Sequence, residues 1–192
     1  MTRNQGEQLS ALVSAVTAIN DETLAAFGDL TAQQLNWKPS AEQWSVAQCF
    51  DHLLTTNAAY FPVFDEILSG EKTPTFWERL PWLPAVWGKL LIKAVAPESQ
   101  RKLKAPKIFR PSSSTVDEAI IRRFVEQQNQ VIKYMKATEG LDLERIKIPS
   151  PVTGFITYSL LDAYRIIINH ERRHLLQATR VSETDGFPKG VR

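Results

Sequence analysis

The chain contains three histidines, His52, His170 and His174, and one cysteine, Cys49. Neutral imidazole is a ligand for zinc, nickel, iron and copper. His170 and His174 are four residues apart, so on a helix their rings lie one turn apart on the same face. That face borders an apolar stripe, beside Ala163 and Ile167, which turns both rings toward an interior. His52 occupies a comparable flank of an earlier helix, one turn beyond Cys49 and beside Thr56 and Ala59. Two facing helices can bring the three imidazoles to one point and leave a further coordination position open to water or substrate, the arrangement of a catalytic metal site. The competing reading is three separate boundary histidines, each satisfied by its own hydrogen bond.

Residues 170–174 read HERRH, a literal match to the H-E-x-x-H helix of zinc proteases. The extended form of that motif needs Gly where Gln177 stands and His where Arg180 stands, so a protease is disfavoured. Glu171 falls within the apolar stripe near Tyr164, Ile167 and Leu175, and a buried carboxylate needs a partner. It is the candidate catalytic residue, as a base or as an outer acceptor for a ligating imidazole; the alternative is an ion pair with Arg165 or Arg172. Cys49 reads as a small buried apolar residue rather than a fourth ligand. Arg101, Lys102, Lys104, Lys107 and Arg110 form a basic run that reads as a solvated loop, with attraction of an anionic substrate as its functional alternative. The sequence holds no phosphate-binding glycine loop, nucleophile elbow or zinc-ribbon cysteine pattern.

The elements that must position these residues are helical. Apolar residues from Leu9 to Phe27 recur at helical spacing, predicting a first helix over 7–27. Ser45 and Gln48 form a capping box that opens a second helix at Val46, running to about Leu68 with a bend at Pro62. Thr115 and Glu118 form another, predicting a third helix over 116–138 that Gly140 stops. The segment IKIPSPVTGFITY reads as a loop, and Ser159 opens a fourth helix carrying the histidine pair. Four helices of about 20 residues each predict an all-α four-helix bundle. The connection from Ser69 to Ser114 is too long for a hairpin loop, which favours an up-down-down-up topology with a long crossover between helices 2 and 3. Within it Trp77, Trp82 and Trp87 are expected to be largely buried, against the bundle or a second subunit.

Composition bounds the rest. A chain of 192 residues with 43% hydrophobic residues and no linker reads as one domain over 1–192. A net charge of +2 does not nominate nucleic acid or a membrane surface as partner, and one cysteine excludes an internal disulfide framework. Prolines and lysines interrupt the Trp-rich stretch too often for a membrane span. The polar N-terminus MTRNQGEQ lacks an apolar signal region, so a cytoplasmic location is expected.

Two segments carry a family resemblance. WSVAQCFDHL, residues 44–53, and NHERRHLLQ, residues 169–177, resemble the tryptophan-led helix start and the paired-histidine helix of the DinB-like superfamily, in the branch of metal-dependent hydrolases and thiol transferases. KAPKIFRPSSS and DGFPKG are similar to members of the same branch, so the resemblance covers nearly the whole chain. It implies a four-helix bundle with a long second connection, a metal site at His52, His170 and His174 holding zinc or nickel, and a homodimer. It further implies chemistry on a small-molecule substrate, in some relatives with a low-molecular-weight thiol. The Trp-rich insertion 76–96 departs from simpler relatives. The functional expectation is therefore a metal-dependent enzyme of transferase or hydrolase type acting on a small electrophilic or thiol-containing molecule. The alternative is a non-catalytic metal-binding stress or scaffold protein.

Overall fold

The computed structural model describes residues 3–80, 83–97, 106–111 and 115–189. They form seven α-helices, α1 (Arg3–Phe27), α2 (Ala32–Asn36), α3 (Val46–Ala58), α4 (Phe61–Ser69), α5 (Leu83–Val95), α6 (Ile120–Ala137) and α7 (Leu160–Ser182). Two short strands, β1 (Lys147–Pro149) and β2 (Thr157–Ser159), pair antiparallel. The molecule is mainly helical, and none of these helices is long and apolar enough to cross a membrane.

The site depends on α3 and α7. At Ser45 the hydroxyl accepts from the Gln48 N–H at 3.1 Å while the Gln48 side chain accepts from the Ser45 N–H at 3.2 Å, so the expected capping box forms. The Ser159 hydroxyl caps α7, accepting from the Asp162 N–H at 3.0 Å. Each helix then buries an apolar stripe: Val46, Phe50 and Leu53 from α3, and Leu160, Tyr164, Ile167 and Ala178 from α7. α1 packs on α6 and α7, and α3 packs on the same two helices. The shared core includes Val16, Phe27, Phe124, Val131 and Met135. Burying each such side chain contributes about 1.5–3 kcal/mol.

Several local expectations are corrected. The second helix is two helices, because the chain turns at Ala59–Tyr60 and Pro62 sits in the first turn of α4, where its missing N–H costs nothing. The Thr115 capping box does not form. The Val116 backbone is instead held on both sides by Asn36, whose side chain accepts from its N–H at 2.8 Å and donates to its carbonyl at 2.9 Å, so α6 starts only at Ile120. The segment read as a loop contains the β1–β2 hairpin, in register Ile148↔Tyr158, which buries both of those side chains.

The crossover folds back as α5 against α7 and β2. Gly88 permits this, because a Cβ there would stand 2.5 Å from Asp162 Oδ2 in the first turn of α7. Burial of the crossover tryptophans against the bundle does not extend to Trp77, which is 43% exposed in the single chain beside Phe76 at 68%. Trp87 is half-buried. Trp82 and the basic residues Arg101, Lys102 and Lys104 lie outside the described residues.

Candidate metal centre

α3 delivers His52 and α7 delivers His170 and His174 to one point. His170 Nε2 lies 3.2 Å from His52 Nε2 and 3.1 Å from His174 Nε2. One nitrogen of each ring belongs to a set lying within 4.8 Å of one another, the one group of three or more potential metal ligands found among the described residues. These nitrogen spacings are close to the roughly 3.3 Å edge of a tetrahedron whose metal–nitrogen bonds are about 2.0–2.1 Å.

The tautomer of His52 follows from its other ring nitrogen. Nδ1 lies 2.5 Å from the carbonyl oxygen of Phe109, and a carbonyl can only accept, so Nδ1 carries the proton. The neutral ring must then present a bare lone pair at Nε2, toward the cluster. Phe109 belongs to a 3₁₀ turn, Lys107–Phe109, seated against α3. No residue-type signal could have nominated it, because the contact is made by its backbone; the KAPKIFRPSSS resemblance is the nearest hint. Trp44 also joins the site, its indole stacked on His174 at a centroid distance of 5.6 Å and tilted over His52 at 5.1 Å.

Electrostatics keep the rings neutral. Burial lowers the pKa of His52, against the opposing effect of its bond to Phe109. Burial, followed by mutual repulsion with His174 and His52, holds His170 well below the usual histidine range. Burial pushes His174 down to about 3. Three neutral imidazoles with converging nitrogens lack enough ring protons to bond one another fully, and a bound cation would satisfy the remaining lone pairs. The donor set therefore fits a divalent transition metal.

Glu171 is fully buried but faces elsewhere. Its Oε1 accepts from the Asn57 amide at 2.7 Å and the Gln128 amide at 2.6 Å, joining α3, α6 and α7. It does not line the cavity beside the histidines. The ion-pair alternative is overturned, since Arg165 binds Asp162 at 3.1 Å and Arg172 is exposed. Burial pushes the Glu171 carboxyl up to about 7, with the Gln128 and Asn57 amides acting against the rise. Cys49 is buried outside the cluster, and burial raises its thiol well above the usual range.

The three histidines line a cavity of about 1210 Å³ between α3 and α7. Leu91 and Val95 of α5 form part of its wall, and Trp44, Arg110 and Arg173 also line it. Arg173 donates to the carbonyls of Ala94 and Ala96 at the end of α5, tying the crossover to the histidine helix.

A helical protein with three inward histidines from two helices opening on a cavity defines the class. The DinB superfamily profile matches residues 15–178, and the chain belongs to that superfamily. It is also similar to the uncharacterized protein YuaE of Bacillus subtilis (strain 168), with 26% identity over 163 residues covering 84% of this chain and 91% of that one. No solved structure matched the chain.

Proposed function

We propose that His52, His170 and His174 hold one divalent transition metal, zinc or nickel, and that the protein is a metal-dependent enzyme of transferase or hydrolase type. The observation that carries this reading is the convergence of three neutral imidazoles on the wall of an open cavity, rather than inside a sealed core. Such an ion supplies Lewis acidity, polarising an oxygen or sulfur ligand and lowering its proton affinity. The protein's own part is to fix the His52 tautomer through Phe109, hold the rings neutral, cover them with Trp44 and admit a small molecule. A low-molecular-weight thiol is the proposed co-substrate, on the family resemblance.

Glu171 acts, in this proposal, as a positioning residue. Its bond to Asn57 links α3 to α7 close to the ligands, which favours that role over a base acting in the cavity. The same packing of α1 and α3 on α6 and α7 supports a four-helix bundle of up-down-down-up topology with α5 in its long crossover.

The deciding measurement is elemental analysis and metal titration of the purified chain. About one metal per chain is expected, with a large loss of affinity on replacing any one of the three histidines by Ala. Equal metal in the wild type and the triple-alanine variant would defeat the reading.

A further inference from the structure

Beyond the histidines the cavity lining continues along α3 through Thr56 and on to Tyr60, in the turn between α3 and α4. There the hydroxyls of Tyr60 and Tyr158 are 2.8 Å apart, and both residues line the cavity although they are only 7% and 1% exposed. Two hydroxyls that share one link carry two protons, so one O–H donor is left over. The hydroxyl lone pairs add further acceptor capacity. Leu91, Val95, Ile166 and Ile167 give the cavity apolar wall. The charged lining residues are Lys38, Glu42, Arg110, Arg173 and Arg180, of which the two on α7 lie C-terminal to His170, while Tyr158 precedes that helix.

We infer that the Tyr60–Tyr158 end of the cavity is a second recognition subsite, which binds a neutral hydrogen-bonding group of the amide or carbonyl class at the far end of an apolar ligand segment. It assigns a substrate shape to the proposed site, and so rests on that proposal for its spanning part: a head at the histidines, an apolar middle and a neutral polar tail at the tyrosine pair. A carboxylate tail is disfavoured, because the two tyrosine hydroxyls themselves bring no formal charge to offset an anion. The leftover hydroxyl donor and the acceptor lone pairs together match a primary amide, which both accepts and donates.

The subsite can be tested apart from the metal. Metal-free full-length protein is titrated with hexanamide and with hexanoate, followed by protein NMR and calorimetry. Saturable hexanamide binding is expected, with shifts at Tyr60 and Tyr158, weaker binding of hexanoate, and an affinity loss of about 3- to 10-fold in Tyr60→Phe and Tyr158→Phe. Both variants keep the ring, so melting curves serve to verify their folding. Hexanamide binding that is absent, or unaltered in the double phenylalanine variant, overturns the subsite whatever the histidines hold. A second arm titrates cobalt-loaded protein with ω-mercaptoalkanamides of increasing length and the matching alkanethiols. An amide advantage that begins at a threshold length and disappears in Tyr60→Phe supports the spanning ligand; an advantage independent of length overturns it. Absence of a cobalt spectrum in the loaded wild type marks failure of the metal reading instead, leaving the hexanamide result to judge the subsite.

Discussion

At the scale of single residues, the site is a group of titratable side chains held in their neutral forms, and that has a measurable sign. The histidine pKa values are lowered on folding, so each contributes stability that is full above about pH 6.5 and is lost as the pH falls below it. Glu171, raised from 4.5 to about 7, works in the opposite sense: its contribution is full below about 4.5 and is lost as the pH rises through 7. Three histidines outweigh one carboxyl. Metal-free protein should therefore lose stability between pH 7 and 5, each histidine contributing up to about 1.4 kcal/mol per pH unit. Denaturant melts across that range check this, and a flat profile would contradict it. Asn57→Leu removes a donor from Glu171 and should lower stability by about 1–3 kcal/mol and metal affinity by about 10-fold. Glu171→Gln keeps an acceptor for both amides and should change metal affinity little. If Glu171 were instead a base, that same substitution would abolish turnover with metal content intact, so metal titration paired with an activity assay separates the roles.

At the scale of elements, the helices that carry the ligands are those whose starts are written locally. Ser45 and Ser159 cap as their sequences dictate, and the His170–His174 spacing acts through the regularity of α7. Ser45→Ala should cost about 1 kcal/mol and, by fraying the start of α3, weaken metal binding; a thermal melt and a titration of the same variant test both. Features set by distant partners were not legible. Thr115 and Glu118 spell a cap, yet Asn36 of α2 captures the adjacent Val116 backbone and delays α6. The break at Ala59–Tyr60 was readable from Pro62 only as a bend. What it accomplishes, placing the Tyr60 hydroxyl against Tyr158, needs the β-hairpin that the Pro- and Gly-rich segment concealed.

At the scale of the whole molecule, Phe76, Trp77 and Phe155 form an exposed aromatic surface, with Trp77 within 6.5 Å of Phe155 between ring centroids. The homodimer implied by the resemblance is a proposal this surface can serve, because association would withdraw it from water. Iodide should quench Trp77 in dilute protein and progressively less as concentration rises, with the difference removed in Trp77→Phe; concentration-independent quenching would show that the surface stays free.

The sequence by itself determined the helical class, the two capped helices and the histidine pair, because these depend on interactions within a few residues. It also carried the family in the order of its motifs. Tertiary structure decided what those residues meet: that His52 joins the pair, that a backbone carbonyl from the crossover sets its tautomer, and that Glu171 turns to two amides instead of an arginine. Such choices depend on how helices far apart in sequence pack, and helical periodicity gives the face a side chain occupies without naming the partner that face will find.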